Sequence, residues 1–583
     1  MPRMIWLPIA VAATILVCVL VVTDRLPLGV AGEWEWPRMR PAYWPEVALV
    51  AAGYVALVGV AARWLDRPWA RRTLVAMLVA AAFAVPFAMQ SLGEFGLAKW
   101  PFVLFSASSS GYYTAAKSHV TSPSEFIADY DRIQSEFLRD RGPYHLATHP
   151  PGLVLLHFEV LRWCESKPAR SRAWLDVAPA TVRGGFEALA GRSAAIPLAD
   201  QASLWLVGLL SQLACALTVV PIYVLARRGA GARPAWFAAA LWPLVPATTI
   251  FMPKSDVLYP LFATTAVAFA LAGRATTGRV AGGLAAGLVL WLGMYFTFGL
   301  VTLLPLIIAA VVFTEGVRAR PGLVACMQRG AAMLAAFATA TAIYTVSTGH
   351  NLLATWLACF HAHAKFYDRH PRSYWSWVGF DLAEFVVAMG VPLAIAAIVG
   401  GASLARRRAN SATETGERET TPGSNDADPT RCRGMVWAWC LTVLALDLSG
   451  KNLGEVARLW IFLMPFAIPA AAAALEQLGP RSWPAMLLLA AQAFQTFVFA
   501  ANLQGFIDTN SVRMPEKTMG TVAESRSDAS KKQLKPKHPW ISISKWLLAQ
   551  ELECSVRAPG LFASVFFALL VPTIGGSHAS SHP

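Results

Sequence analysis

The chain has 583 residues, of which 14% are charged and 56% are hydrophobic, and its formal net charge is +14. Soluble domains contain roughly 25% charged residues, so this composition excludes a soluble multidomain enzyme, a disordered chain and a small disulfide scaffold. The class that remains is an all-α polytopic membrane protein, whose surface faces mostly lipid.

The positive charge is distributed in short clusters between apolar runs, which favours membrane topology over a nucleic-acid partner. The eight cysteines include no Cys-x-x-Cys pair, so neither a zinc site nor a disulfide framework is predicted. We therefore expect no cofactor. A divalent metal is compatible with the sequence, but no motif indicates one.

Uncharged runs of about 17 to 25 residues, the length that crosses a bilayer, recur along the chain. They cover residues 4–23, 73–89, 204–226, 234–253, 257–273, 330–346, 385–404, 459–475 and 483–501, with shorter candidates at 47–62 and 434–446. The uncharged run 280–313 is too long for one helix and is predicted to divide near residues 293–299. The total is about thirteen transmembrane helices.

The distribution of Lys and Arg assigns each connection to one side of the membrane. With the N-terminus inside, the inner connections carry roughly twice as many Lys and Arg residues as the short outer connections. This arrangement places residues 90–202 outside, as a large extracytoplasmic loop that carries short interfacial helices, one of them at residues 152–163.

The same assignment divides the rest of the chain into three parts, the second of which contains a long inner loop. Residues 1–89 are predicted to form N-terminal membrane helices, and residues 203–503 the main helix bundle. Within that bundle, residues 409–433 are predicted to be a disordered inner loop, because they are rich in Ser, Thr and charged residues. Residues 504–583 form a basic, low-complexity tail with one marginal apolar segment.

A short turn with Lys254 and Asp256 lies between two predicted membrane helices. A carboxylate and an ammonium at the membrane boundary suit proton abstraction beside a lipid phosphate. Asp256 also suits the N-terminus of the following helix, as a cap, and the two interpretations are compatible.

A second polar turn contains Lys451, Glu455 and Arg458, just before the predicted helix 459–475. Glu455 and Arg458 are three residues apart and share one helical face. The fork of an arginine suits a phosphate, and Glu455 would hold the guanidinium in place. A structural ion pair at the membrane interface is the alternative.

Two histidines, His361 and His363, precede an aromatic string at residues 374–377. They suggest a metal site or a platform for a sugar. Histidines two residues apart do not share a helical face, and no acidic ligand is spaced with them, so a metal is not indicated. Aromatic residues at this depth also serve as lipid-facing interface residues.

The string Thr148-His149-Pro150-Pro151-Gly152 is the most distinctive local motif of the outer loop. Two prolines restrict the backbone and can aim His149 at a site above the membrane. A rigid turn without a functional role is the alternative interpretation.

Taken together, these motifs resemble the GT-C superfamily of polytopic membrane glycosyltransferases, which includes the protein O-mannosyltransferases and the aminoarabinose transferases acting on lipid A. The likeness is carried by Gly-Tyr-Tyr-Thr-Ala-Ala at residues 111–116, with Tyr112 and Tyr113 as substrate-binding candidates, by the His149-Pro-Pro-Gly turn and by Ser-Asp256-Val-Leu-Tyr.

One departure from that family concerns its catalytic acid. In the family an acid usually precedes the two tyrosines directly, whereas residues 108–110 of this chain are serines. The resemblance therefore implies that the catalytic base is Asp129, Asp131 or Asp256.

The resemblance implies a glycosyltransferase that moves a sugar from a polyprenyl-phosphate-linked donor to an extracytoplasmic lipid, glycan or protein. Arg458, with Lys254 or Lys451, would stabilise the leaving lipid phosphate. The expected partners are this sugar donor and membrane lipids, with no nucleic acid, and the oligomeric state stays open. The expected location is the bacterial inner (plasma) membrane, with the active site facing outward.

Two alternatives belong to other classes of protein. A secondary transporter also has many spans and broken helices. A non-catalytic component of envelope polysaccharide assembly would explain the missing acid before the tyrosines.

Overall fold

The computed structural model describes residues 4–139, 144–191, 195–316, 319–413 and 429–505, and these residues are almost entirely helical, as predicted. One short antiparallel hairpin, β1 (Gly29–Val30) with β2 (Trp34–Glu35), is the sheet found in that part of the chain. The predicted tail, residues 504–583, lies outside the described residues from position 506 onward.

The helices fall into three groups along the chain. The N-terminal group is α1 (Trp6–Val22), α2 (Pro45–Ala61) and α3 (Pro68–Met89). The predicted outer loop folds into short helices: α4 (Lys99–Phe105), α5 (Tyr112–His119), α6 (Pro123–Ala128), α7 (Tyr130–Arg139), α8 (Gly152–Ser166), α9 (Pro168–Asp176) and α10 (Ala180–Ala190).

The third group forms the main bundle. Its first half is α11 (Leu198–Leu217), α12 (Val219–Arg227), α13 (Ala232–Ala239), α14 (Pro246–Ile250), α15 (Tyr259–Ala270), α16 (Thr276–Phe296), α17 (Leu303–Glu315) and α18 (Arg320–Thr348). Its second half is α19 (Leu352–Ala364), α20 (Phe366–Arg369), α21 (Tyr374–Met389), α22 (Val391–Thr413), α23 (Pro429–Leu448), α24 (Val456–Leu459), α25 (Ile468–Glu476) and α26 (Trp483–Asn502).

Seven helices of the described part are long and apolar enough to cross a membrane, or eight if the bent pair α21 and α22 is one span. Three of the shorter apolar helices, at Trp6–Val22, Ser255–Ala270 and Ile461–Glu476, coincide with other predicted spans. The total of about thirteen stays a prediction. Apolar side chains on the outside of α18, such as Leu334 and Ile343, are exposed, which suits a lipid-facing helix.

The predicted span 234–253 differs from a single helix. It is divided into α13, a 3-10 turn at Trp242–Leu244 and α14. Pro243 and Pro246 lie at the break, and proline removes a backbone donor and clashes with the preceding turn. The segment is nevertheless buried along nearly its whole length, so it forms part of the centre of the bundle.

Both ends of the predicted disordered loop 409–433 are helical, because α22 continues to Thr413 and α23 begins at Pro429. Residues 414–428 of that prediction lie outside the described residues. The uncharged run 280–313 divides close to the predicted place, since α16 ends at Phe296 and α17 begins at Leu303.

A sharp bend of 104° separates α21 from α22 at Gly390. Gly390 has φ of +101°, and a Cβ there would lie 2.0 Å from Gln492, so no larger residue fits. The backbone groups released by the bend pair with two glutamines of α26: Val391 donates to Gln495 at 2.8 Å, and Gln492 donates to Met389 at 2.9 Å. These bonds hold α21 at a defined angle.

A buried arginine joins three helices at the end of the bundle where α17 ends and α18 begins. Arg329 is 2% exposed and its Nη2 lies 2.9 Å from Glu315. The guanidinium also donates to the carbonyls of Ala270 and Gly273, at 3.0 and 2.6 Å, where α15 ends. Arg329 therefore satisfies backbone carbonyls that have no intrahelical partner.

We expect Arg329→Met to lower the free energy of unfolding by about 3 kcal/mol, because it leaves the buried Glu315 with only a longer ion pair. Arg279, the other cation near Glu315, is 3.9 Å away. Unfolding by SDS in mixed micelles measures the change. The double variant Glu315→Met, Arg329→Met should recover part of the loss. A double variant less stable than Arg329→Met would contradict this explanation.

Candidate functional site

A cavity of about 300 Å³ lies where several of these helices begin or end. It is bordered by the start of α5, the turn before α8, the turn between α14 and α15, the break between α16 and α17, and the segments around α19 and α24. Among the described residues, its charged lining consists of Lys254, Asp256, Arg372, Lys451, Glu455 and Arg458. Cations therefore outnumber acids in this cavity.

Lys254 and Asp256 reach the cavity from the turn between α14 and α15. Asp256 lies in the first turn of a 3-10 helix, Ser255–Leu258, that leads into α15. The N-cap positions here are Lys254 and Leu258, and neither makes a side-chain cap bond. Asp256 is therefore not an N-cap, although the helix N-terminus still favours its negative charge.

The Lys254 side chain is buried. Burial lowers the pKa of its ammonium well below the ordinary value, the charge of Arg458 lowers the pKa further, and Asp256 and Glu455 oppose the shift. An anion that enters the cavity would stabilise the charged form of this lysine.

Glu455 reaches the cavity from the irregular segment just before α24, and Arg458 reaches it from within α24. Glu455 has φ of +61°, a left-handed backbone conformation unusual for a residue other than glycine. Its carboxylate lies 2.7 Å from Arg458 and 3.1 Å from Arg372. Burial acts to raise the pKa of Glu455, but Arg458, Arg372 and Lys254 outweigh it and hold the pKa below its ordinary value. Glu455 thus orients two guanidinium groups and is a poor proton acceptor.

Arg372 is a cavity residue that the sequence analysis did not single out. Its side chain is 6% exposed, donates to the carbonyl of Leu453, and lies 5.5 Å from the Trp377 ring and 5.7 Å from the Phe366 ring. Arg372 lies just before the aromatic string 374–377 in the sequence. Because arginine stacks on aromatic faces, this position is the feature from which the role of Arg372 could have been predicted.

His149 lines the cavity beside Tyr112. The Tyr112 ring meets the His149 ring edge-on at 5.7 Å, and the Tyr130 hydroxyl donates to the His149 carbonyl at 2.6 Å. Burial and the charge of Asp256 raise the pKa of Tyr112, which therefore stays a neutral phenol. The two prolines hold this turn just before α8.

The last residue of the 148–152 motif, Gly152, is required for a steric reason. A Cβ at Gly152 would lie 2.4 Å from the carbonyl oxygen of Tyr295, so the glycine lets the start of α8 approach the end of α16. The motif is therefore a packed turn that faces the cavity.

His363 and Lys451 line a further wall of the cavity. His363 Nε2 lies 2.7 Å from the Lys451 carbonyl, and the Lys451 ammonium lies 5.3 Å from the Phe360 ring. His361, two residues earlier on α19, is exposed and does not line the cavity, as expected for a residue on another face of the helix.

Three other predicted site residues lie away from the cavity lining. Asp129 is exposed and pairs with Arg132. Asp131 lies 3.3 Å from Nε2 of His350. Tyr113 is buried and donates to Asp200 at 2.6 Å. Of the three acids predicted as the base, Asp256 is the one that shares the cavity with the cations.

Apolar side chains complete the cavity, including Phe298, Phe360, Leu446 and Phe462. Cations beside apolar walls suit an amphiphile with an anionic head group. Among the residues that the structure describes, no three His, Cys, Asp or Glu side chains lie close enough together to hold a metal ion.

The fold and the cavity together define an α-helical integral membrane protein with a charged, partly apolar cavity at its helix ends. The chain matches no family model and no curated protein. Among solved structures it is similar to the oligosaccharyltransferase of Archaeoglobus fulgidus, crystallised with zinc and sulfate, with 15% sequence identity and a TM-score of 0.35. That likeness covers 56% of this chain and 45% of the archaeal chain.

Proposed function

We propose that the protein is a membrane glycosyltransferase that transfers a sugar from a polyprenyl-phosphate-linked donor to a hydroxyl group of a lipid, glycan or protein acceptor. The observation that carries the proposal is one cavity that Asp256 lines together with Arg458, Lys254 and Arg372. We further propose that this cavity faces outward in the bacterial plasma membrane, where lipid-linked sugars would reach it from the side.

In the proposed reaction, the Asp256 carboxylate accepts the proton of the acceptor hydroxyl. The acceptor oxygen then forms a bond to the anomeric carbon of the sugar, and the bond between that carbon and the phosphate oxygen breaks. The electron pair stays on the lipid phosphate, whose added negative charge Arg458 and Lys254 stabilise. The products are the glycosylated acceptor and the polyprenyl phosphate.

The paired state of Glu455 supports the choice of Asp256 as the base. Glu455 is the other acid of the cavity lining, and it lies within ion-pair distance of two arginines. Taking up a proton would cost Glu455 both ion pairs. The apolar wall with Phe298 and Phe462 suits the first isoprene units of the sugar donor.

A transfer assay with purified protein in liposomes tests this function. The liposomes contain undecaprenyl phosphate linked to radiolabelled mannose, glucose or galactose, and membrane extract supplies acceptors. We expect label to move from undecaprenyl phosphate to an acceptor only when folded protein is present, with labelled lipid acceptors separated from the donor by thin-layer chromatography. Retention of all label on undecaprenyl phosphate by folded protein would contradict the proposal. Movement of the intact labelled lipid or of free sugar across the bilayer would indicate a transporter instead.

The lowered pKa of Lys254 predicts a pH dependence. The ammonium charge is present below this pKa and is lost as the pH rises through it, so affinity for the phosphate falls over the same pH range. We expect kcat/KM to fall by up to about tenfold per pH unit above the pKa. In Lys254→Arg the guanidinium stays charged, and the alkaline limb should move to higher pH.

The matched control for this pH profile is Lys117→Arg, at a lysine that pairs with Asp200 away from the cavity. Its profile should coincide with that of the wild type. An alkaline limb at the same pH in Lys254→Arg and wild type would show that another group is titrating.

A further inference from the structure

The backbone of residues 453–455 is irregular and leads into the first turn of α24, and side chains from neighbouring helices accept hydrogen bonds from three amides of residues 453–457. Leu453 N–H donates to the Tyr367 hydroxyl at 2.7 Å. Gly454 N–H donates to Asp381 Oδ1 at 2.8 Å, and Ala457 N–H donates to Glu384 Oε1 at 3.1 Å. Non-helical backbone within a membrane helix bundle needs such partners, because lipid offers none.

Asp381 and Glu384, here called the carboxylate pair, are three residues apart on α21 and so project from one face of that helix. Both are buried, at 0% and 7% exposure. They accept hydrogen bonds from the backbone N–H groups of Gly454 and Ala457, which are also three residues apart. The pair therefore contacts the 453–458 segment at two points, one before α24 and one in its first turn.

The second oxygen of each carboxyl group, Asp381 Oδ2 and Glu384 Oε2, has no hydrogen-bond partner within the described residues. Apolar residues at these two positions would avoid the cost of burying such oxygens. Neither residue lines the cavity. Glu384 Oε1 also accepts from Trp36 Nε1 at 3.0 Å. The contact that the two carboxyl groups share is with the segment that carries two cavity residues, Glu455 and Arg458.

The strained residue of this segment lies between the two contact points. Glu455 adopts its left-handed conformation directly after Gly454 and two residues before Ala457. Such a backbone persists when surrounding contacts over-determine it. With both amides held, the Glu455 carboxylate lies where it can contact Arg372 and Arg458 at once.

We propose that Asp381 and Glu384 are positioning residues that hold the 453–458 segment so that Arg458 faces the phosphate of the sugar donor. They act as hydrogen-bond acceptors for Gly454 and Ala457, and their charge is not required. The identity of the bound phosphate rests on the proposed function, whereas the holding of the segment does not.

The first test measures the segment itself by hydrogen–deuterium exchange of peptides covering residues 453–458. In Asp381→Ala and Glu384→Ala the amides lose their acceptor, and we expect exchange to become about tenfold faster. In Asp381→Asn and Glu384→Gln the amide oxygen still accepts, so exchange should stay within about threefold of wild type. Unchanged exchange in both alanine variants would overturn the proposal.

The second test measures binding of farnesyl phosphate, a short prenyl phosphate, to the same variants in detergent. The alanine variants should bind it about tenfold more weakly, and the Asn and Gln variants should resemble wild type. Tyr54→Phe is the matched control, because it removes a buried hydrogen bond to the Ala240 carbonyl without touching this segment. Its exchange and binding should equal those of wild type.

The outcomes separate the two proposals. Equal damage in the amide and alanine variants would show that the carboxyl charge matters, and would overturn the role as acceptors. Faster exchange with unchanged binding would overturn the link to the phosphate. Wild-type protein that binds farnesyl phosphate but transfers no sugar would contradict the proposed glycosyl transfer alone, and the positioning role would stand.

Discussion

Asp256→Asn is expected to reduce the rate of sugar transfer by about 10² to 10⁴-fold, the usual contribution of a general base. The asparagine keeps the size of the side chain but cannot take up the acceptor proton. Affinity for farnesyl phosphate should not fall, because the substitution removes a negative charge beside Arg458 and Lys254. Single-turnover transfer and equilibrium binding measure the two effects separately.

Asp129→Asn and Asp131→Asn discriminate among the three acids that the sequence left open. Asp129 is exposed beside Arg132, and Asp131 pairs with His350, so we expect transfer rates within about threefold of wild type. Normal transfer in Asp256→Asn, with loss in either of the other two variants, would show that the base is not in this cavity.

Arg458→Ala is expected to have the second large effect, a loss of about 10² to 10³-fold in kcat/KM for the sugar donor. The change removes a partly buried guanidinium from the cavity and breaks the 2.7 Å contact to Glu455. Arg372 remains as a partner of Glu455, so the segment should still fold. Part of the loss should appear in kcat, because the negative charge on the phosphate grows as the sugar leaves.

Arg458→Lys adds a geometric test to this prediction. Lysine keeps the charge but cannot form the two-pronged contact of a guanidinium, so its kcat/KM should lie between those of wild type and Arg458→Ala. Arg132→Ala, at an exposed arginine paired with Asp129, is the control and should transfer normally. Equal activity of Arg458→Ala and wild type would contradict a phosphate at this position.

Much of the helical framework follows from hydropathy along the chain. The division of the run 280–313 was predictable, because its length exceeds one bilayer span, and α16 indeed ends at Phe296. The prediction of one helix over 234–253 was wrong, although Pro243 and Pro246 were visible in the sequence. Hydropathy measures only how apolar a segment is, and proline acts on the backbone instead.

The sequence predicted which types of charged residue form the candidate site, but it did not identify all of the residues that line it. Lys254, Asp256, Glu455 and Arg458 were recognised because charged residues beside membrane helices are costly. Arg372 was missed, since its role depends on contact with Glu455, a residue 83 positions later in the chain. The support from Asp381 and Glu384 was equally hidden, because the amides that they accept from, those of Gly454 and Ala457, lie 73 positions later in the chain.

The sequence by itself determined that this is a helical membrane chain, where most helices lie, and which turns carry acids and cations. These properties depend on residues that are close together in the sequence, so they can be predicted from composition and spacing. Only the tertiary structure decided that Asp256, and not Asp129 or Asp131, shares a cavity with Arg458 and Arg372. Whether two residues hundreds of positions apart lie close together depends on how the helices bend and pack, as at Gly390. A pattern of neighbouring residues in the sequence carries no information on such a distance.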